Sequence, residues 1–369
     1  MAGGAATGVK CFARETFQAD RSKLCFCILR WLYKFALVAT NFYQKFQVGY
    51  AALVKDVHMP KAVVVSLSSI PPRFDMLEPT LTSLLSQDRP ADSVILWIPR
   101  SYRRFSEWDG RLPVVPSGVT IRRCETDFGP ATKVLPSLHL CAEQNVAIAF
   151  CDDDRLYREN WLSSMMLAME EYPGCCFVAH GNDLPGDVGR PLRTADRPLR
   201  AHHSKSGLMQ DFADFRRYVN RKPLPRASGY ADLLLGYAGV LVRPEFFTPA
   251  VHEIPPVLWA VDDVWLSGNL EEQGVPIWVD DRIPMPQPRP DVMATEALLD
   301  AQIENHNRWA ADRACIRYFR DTYGIWTPSR TEHLLASLRF WRRRFVRVAR
   351  RLHSRYWPRY VAHIRTTKA

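Results

Sequence analysis

The chain has 369 residues, 47% of them hydrophobic and 24% charged, a composition that excludes a disordered protein and allows one large α/β domain or two smaller ones. Its formal net charge of +10 favours contact with anionic partners. The nine cysteines form no CxxC pair and no Cys/His array of zinc spacing, and their odd number favours reduced thiols and hence a cytoplasmic protein.

Residues 1–58 contain a largely apolar stretch from Leu24 to Val54. Arg30, Lys34 and Lys45 interrupt it, so that it contains no run of about 18 uncharged apolar residues and does not predict a membrane-spanning helix. It also lacks a clean signal-peptide pattern. We therefore expect an amphipathic helical extension, either packed on the rest of the protein or lying on a membrane.

Apolar runs and helical periodicity alternate from residue 61 onward. The runs predict strands and the periodic segments predict helices. In chain order these are strands over Val63–Leu67, 93–98, 118–123, 146–150 and 175–179, helices around 77–85, 131–143 and 160–172, a strand-like run over 236–242, and a helix followed by a strand within 261–279. Residues 181–225 show no clear period. The alternation predicts βαβ units and a mainly parallel sheet.

Three consecutive carboxylates, Asp152, Asp153 and Asp154, directly follow the predicted strand over 146–150. Three like charges repel one another unless a positive charge lies among them. One alternative is that they only cap the helix that follows, since Asp is a good N-cap residue. We favour a divalent-cation site at the carboxyl end of a parallel strand, where open α/β sheets bind ligands.

With this triplet the chain resembles nucleotide-sugar glycosyltransferases of the GT-A fold, most closely the family 2 type, over roughly residues 61–310. Asp152-Asp153-Asp154 stands in the place of the DXD motif, "GYAGVL" in that of a glycine-bearing loop, and "VDDVWL" in that of the xED motif, with Asp262 instead of Glu. His306 is the nearest candidate for a late histidine. The resemblance implies an α/β Rossmann-like GT-A domain over residues 59–325, with a mainly parallel sheet flanked by helices.

The resemblance also implies a divalent metal, Mn²⁺ or Mg²⁺, that neutralises the charge of a diphosphate leaving group. Asp154 would be its ligand, and Asp152 would face the ribose or reach the metal through water, with Asp153 beside them in the donor site. His306 would be a further metal ligand, although a histidine among Asn and Trp residues is often only a surface or packing residue.

An inverting transfer needs a carboxylate that takes the proton of the acceptor hydroxyl, and Asp263 is the candidate base. Asp262 would bind acceptor hydroxyls beside it. The alternative is that both residues only cap the helix that follows. In the loop that precedes them, Gly236, Tyr237 and Gly239 would lie close to the sugar or acceptor, because glycine allows close backbone approach.

The remaining donor-site predictions come from segments before the acidic triplet. By resemblance, Ser68 in "SLSSIPPRF" lies where this fold holds the base and ribose, and Arg73 pairs with phosphate or stacks on the base. "DFGPATK" resembles segments that precede the DXD strand in bacterial transferases. It suggests that Asp127 faces the base and Lys133 the diphosphate, the alternative for Lys133 being a solvated surface residue.

The last segment, residues 326–369, predicts a basic amphipathic helix. Seven arginines between 339 and 351 surround an apolar stripe made by Leu338, Trp341, Phe345, Val348 and Leu352. This pattern is typical of an interfacial helix that binds anionic lipid, the alternative being a helix docked on the catalytic domain. Nucleic acid is a weaker alternative, because no nucleic-acid-binding fold accompanies the basic stretch, and we expect none as a partner.

These features together predict an inverting, metal-dependent glycosyltransferase of the hexosyl or N-acetylhexosaminyl type. It would use a nucleotide-sugar donor, with a UDP-sugar favoured, and a glycan or lipid-linked acceptor at the cytoplasmic face of the membrane. One alternative is a metal-dependent nucleotidyl- or phosphotransferase, although "SLSSIPPRF" lacks the glycine-rich phosphate loop such enzymes usually carry. Another is a non-catalytic membrane adaptor, which would predict damaged acidic positions, whereas all of them are intact.

Overall fold

The computed structural model of the chain describes residues 59–185, 188, 228–293, 295 and 308–328, with Arg308 and Trp309 as backbone only. The predicted N-terminal extension, nearly all of segment 186–227, His306 and the basic C-terminal helix lie outside these residues. The domain boundaries therefore stay predictions. Within the described ranges, no helix combines the length and the apolar character needed to cross a membrane.

The described part of the chain contains twelve strands, eight of which form one sheet. The strands of this sheet are β1 (Ala62–Ser68), β2 (Ser93–Pro99), β3 (Val119–Cys124), β4 (Val146–Phe150), β6 (Cys176–Val178), β8 (Gly229–Ala231), β10 (Val240–Val242) and β11 (Ile277–Val279). Two short antiparallel pairs join β5 (Arg155–Leu156) to β12 (Gln287–Pro288), and β7 (Gly181–Asn182) to β9 (Leu233–Leu234). Every strand predicted from an apolar run is present, although the run over 236–242 becomes a strand only from Val240.

The strand order in the sheet is β3-β2-β1-β4-β10-β6-β11-β8. Four neighbouring pairs are parallel, and β10 is antiparallel to both β4 and β6, as β8 is to β11. All five residues of β4 are buried, which explains their unbroken apolar character, because a central parallel strand is covered on both faces. The predicted fold class, a mainly parallel α/β sheet flanked by helices, is confirmed.

Within the described residues the helices are α1 (Glu78–Leu85), α2 (Leu135–Leu140), α3 (Trp161–Glu171), α4 (Asp262–Glu272), α5 (Pro290–Met293) and α6 (Arg308–Tyr323). The helix predicted over 131–143 is present, but only over Leu135–Leu140. A 3₁₀ turn over Gly129–Lys133 comes first, and Val134, with φ −132° and ψ −42°, separates it from α2. Pro136 lies in the first turn of α2, where its missing N–H would have had no intrahelical partner.

The acidic triplet emerges at the carboxyl edge of the parallel strands. Because Ser66 of β1 pairs with Phe150 of β4, the residues after both strands meet at that edge. The interpretation that the aspartates only cap the next helix is wrong, because β5 begins directly after them and α3 begins only at Trp161. The edge therefore brings Ser68, at the end of β1, close to the acidic triplet.

Candidate functional site

A cleft of about 540 Å³ opens at this edge of the sheet. Its walls come from the ends of β1 and β4, the 3₁₀ turn before α2, the turn before β10 and the start of α4. The lining includes ten of the residues predicted from the sequence: Ser68, Arg73, Asp127, Lys133, Asp152, Asp153, Asp154, Tyr237, Asp262 and Asp263. The structure thus gathers into one cavity residues that are almost 200 positions apart in the sequence.

Asp153 is held in place by an ion pair and by two hydrogen bonds. Its Oδ1 pairs with Arg73 Nη1 at 2.8 Å, and the Ser69 hydroxyl donates to its other oxygen. Thr80 Oγ1 donates to its backbone carbonyl at 3.0 Å. Burial raises the pKa of Asp153, and the Arg73 guanidinium and the Ser69 hydroxyl oppose that shift. These bonds hold the end of β4 against the segment after β1.

Asp154 is buried beside two other carboxylates, and its two arginine partners do not fully compensate for this. Arg155 Nε lies 3.1 Å from its Oδ1 and Arg73 Nη1 lies 3.8 Å from its Oδ2. The buried Oδ1 nevertheless has no aligned hydrogen bond. Burial first, and then the charges of Asp152 and Asp153, raise the pKa of Asp154 to about 6 against the effect of the two arginines. A cation at this carboxylate would relieve the excess charge.

Lys133 is buried, with 5% of its surface exposed, so the interpretation as a solvated surface residue is wrong. Its Nζ lies 2.6 Å from Asp152 Oδ1 and 2.8 Å from Asp262 Oδ2. Burial alone would lower the pKa of this ammonium, but the charges of Asp152, Asp262 and Asp263 outweigh burial and raise the pKa well above its usual range. The lysine stays charged and joins carboxylates from the segment after β4 and from α4.

The acidic pair forms the first two residues of α4. Asp262 is 3% exposed. Asp263 Oδ1 accepts a hydrogen bond from the backbone N–H of Gly236 at 2.8 Å, so this oxygen is directed at the neighbouring turn and not at its own helix. This arrangement is more than helix capping, because the pair contacts Lys133 and the turn before β10. Both residues also line the cleft.

The two glycines of "GYAGVL" lie where neighbouring atoms leave no room for a side chain. A Cβ on Gly236 would lie 2.5 Å from Lys133 Nζ and 2.9 Å from Asp263 Oδ1. Gly239 has φ +90°, and a Cβ there would overlap the Trp161 ring. Packing therefore accounts for both glycines, and their predicted approach to the sugar or acceptor stays a prediction.

Sequence reasoning missed two residues beside Tyr237. The guanidinium of Arg155 lies 4.6 Å from the centre of the Tyr237 ring, and His180 Nδ1 shares a hydrogen bond with the Tyr237 hydroxyl. Arg155 also lines the cleft. Its position directly after three aspartates was an available signal, whereas His180 comes from a distant segment and has no local signal.

The cleft also has an aromatic wall with Tyr102, Phe105 and Trp259. Asp127 organises this wall: its Oδ2 accepts from the Arg103 N–H at 2.7 Å and its Oδ1 from the Gly129 N–H at 2.8 Å. Trp259 Nε1 donates to the Asp127 carbonyl at 2.9 Å. Burial raises the pKa of Asp127, and these backbone N–H groups oppose the shift. Both carboxylate oxygens of Asp127 thus support the wall.

In the described ranges no group of three His, Cys, Asp or Glu side chains could by itself hold a metal ion. That does not conflict with Mg²⁺ or Mn²⁺, because such ions are often bound by one or two carboxylates together with substrate phosphates. The buried Asp154 Oδ1 without an aligned hydrogen bond fits such a ligand. His306 lies outside the described residues, so its role stays a prediction.

No protein-family model and no curated protein sequence matches the chain. Among solved structures, the chain is similar to residues 1–349 of S. aureus TarS in complex with UDP, with 13% sequence identity and a TM-score of 0.34. The match covers 73% of each chain. At this level of similarity it assigns no function to the chain.

Proposed function

We propose that the protein is an inverting glycosyltransferase that moves a sugar from a nucleoside diphosphate to an acceptor hydroxyl. One observation carries the proposal: a single cleft at the carboxyl edge of the parallel strands holds the acidic triplet, Lys133 and the acidic pair of α4. The resemblance of these motifs to GT-A glycosyltransferases supports the same conclusion. Donor and acceptor would meet between the triplet and α4.

The donor side combines a carboxylate for a cation with positive charge for a diphosphate. A Mn²⁺ or Mg²⁺ ion bound through Asp154 would neutralise charge on the departing diphosphate. Arg73 and Arg155, which flank Asp154, add fixed positive charge on the same side. The aromatic wall of Tyr102, Phe105 and Trp259 offers a surface for a nucleobase, with UDP favoured as the nucleotide.

The acceptor side contains the base. Asp263 would take the proton of the acceptor hydroxyl as that oxygen bonds to the anomeric carbon and the bond to the diphosphate breaks. Attack from the face opposite the leaving group inverts the anomeric configuration. The Gly236 N–H fixes one oxygen of Asp263 at 2.8 Å. Asp262 would help to bind acceptor hydroxyls.

The finer part of the proposal concerns the substrates. We propose transfer of a hexose or N-acetylhexosamine to a glycan or lipid-linked acceptor, with the protein held at the inner face of the cell membrane. The basic amphipathic pattern of residues 331–369 supports the membrane partner, because arginines beside an apolar stripe favour anionic lipid.

The test is the variant Asp263→Asn, with Asp321→Asn as a control at an exposed position. We expect Asp263→Asn to bind nucleotide as wild type does and to lose transfer by roughly 10²–10⁴-fold, because only the proton acceptor is lost. Transfer within a few-fold of wild type would reject Asp263 as the base. A product with retained anomeric configuration would reject the inverting mechanism.

A further inference from the structure

Lys133 joins the two sides of the cleft through two ionic contacts, one partly buried and one buried. Asp152, on the donor side, lies 2.6 Å from its Nζ, and Asp262, on the acceptor side, lies 2.8 Å away. The two carboxylates belong to segments that are 110 positions apart in the sequence. In the described part of the chain, Lys133 is the one ion-pair partner of Asp262.

The surroundings of the ammonium leave it little room to reach a substrate. The backbone of Gly236 lies so near that a Cβ on this residue would be 2.5 Å from Lys133 Nζ. The centre of the Phe150 ring lies 5.9 Å from the same atom. An ammonium has three N–H donors, and two protein carboxylates already occupy its contact distance. These contacts argue against Lys133 as a direct phosphate ligand.

We propose that Lys133 is a positioning residue, which fastens Asp262, and with it Asp263 at the start of α4, to the donor-side carboxylate Asp152. This proposal rests on the proposed function. It assigns Lys133 to alignment of the acceptor side, whereas the sequence suggested that this residue binds the donor. Because Asp262 and Asp263 are consecutive, a displacement of one moves the other relative to the anomeric carbon.

The charge of Lys133 is required because Asp262 is 97% buried. A buried carboxylate that loses its counter-ion either takes up a proton or moves towards water. Such a movement would pull Asp263 away from the Gly236 N–H that fixes it. Removal of both charges together leaves no deeply buried carboxylate without Lys133, because Asp152, which loses the same contact, has a side chain that is 30% exposed. The double change should therefore cost less stability than the two single changes predict.

A double-mutant cycle tests the proposal with Lys133→Met, Asp262→Asn and the variant that carries both. Lys61→Met, at an exposed position, is the control. The measurements are the melting temperature, the Kd of UDP with saturating Mn²⁺, and the steady-state constants for donor and acceptor.

We expect each single variant to melt several degrees below wild type and the double variant to melt well above the additive value. The Kd of UDP should change less than about threefold when Lys133→Met is added to Asp262→Asn. In Lys133→Met, kcat should fall and the acceptor KM should rise while the donor KM stays nearly constant, whereas a loss of folded protein would lower kcat alone. A Lys133→Met chain that folds only together with Asp262→Asn would support the pairing.

Additive losses of melting temperature would overturn the proposal. The proposal would also be overturned if Lys133→Met weakened UDP binding more than about tenfold both in the wild type and in the Asp262→Asn variant. That result would make Lys133 a ligand of the donor. If no nucleotide sugar is turned over by wild type, the proposed function fails. The melting and UDP measurements still decide the role of Lys133 in that case.

Discussion

The carboxyl group of Asp154 is destabilising when it is ionised, and this gives a test at the scale of one residue. Its pKa is raised from 3.8 to about 6 by burial and by the two neighbouring carboxylates. The lower value is the pKa of this group in the unfolded chain and the higher value is its pKa in the folded protein. Between them the folded state binds more protons than the unfolded state, so the free energy of unfolding falls as pH rises from about 4 to about 6. The penalty is nearly complete at about pH 7, one unit above the pKa in the folded state.

We therefore expect Asp154→Asn to stabilise the metal-free protein at neutral pH, by up to about 3 kcal/mol, and to give little gain near pH 4. The measurement is the free energy of unfolding of both proteins against pH in the presence of a chelator. Asp321→Asn, at an exposed position, is the control. A variant that is less stable than wild type at neutral pH would contradict the assigned excess of negative charge.

At the scale of elements, the turn over Gly236–Ala238 is packed against the start of α4. We expect Gly236→Ala to lower the free energy of unfolding by roughly 1–3 kcal/mol and to reduce transfer, because the added methyl group meets Lys133 Nζ and Asp263 Oδ1. Gly274→Ala is a useful comparison, since a Cβ there meets no atom and only its φ of +71° opposes the change. Unchanged stability and transfer in Gly236→Ala would show that Lys133 and Asp263 are not held by this turn.

The elements themselves were largely predictable, but their arrangement was not. The apolar run over 146–150 sufficed for β4, and the carboxylates after it sufficed to locate the donor side of the cleft. The break at Val134 was missed because helical periodicity continues through it. No local signal predicts that β10 inserts antiparallel between β4 and β6, and this insertion brings the turn at Gly236 against Lys133.

The same limit applies to the site. Residue type and local position predicted the carboxylates, since each follows a strand or begins a helix. The contact between Lys133 and Asp262 joins residues 129 positions apart, and its identification requires the strand order. The partners of Asp127 and the pairing of His180 with Tyr237 likewise depend on tertiary packing.

At the scale of the whole molecule, we expect deletion of residues 331–369 to abolish binding to anionic vesicles while UDP binding is kept. Each basic residue near an anionic leaflet contributes about 1 kcal/mol, and the apolar stripe adds burial. The measurement is vesicle co-sedimentation of the full and shortened chains at low and high salt. Vesicle binding that survives the deletion would place the anchor elsewhere, with residues 24–54 as the next candidate.

Nucleotide binding tests the central claim most directly, because it needs neither the right sugar nor the right acceptor. The measurement is the melting temperature of wild type, Asp154→Ala and the control Asp321→Ala with UDP, other nucleoside diphosphates, Mn²⁺ and their combinations. Ligand that binds only the folded state raises its stability by RT ln(1 + [L]/Kd). We expect wild type and the control to gain several degrees with one nucleotide and Mn²⁺ together, and Asp154→Ala to gain almost nothing. An equal gain in Asp154→Ala, or no gain in wild type with any nucleoside diphosphate, would contradict the account.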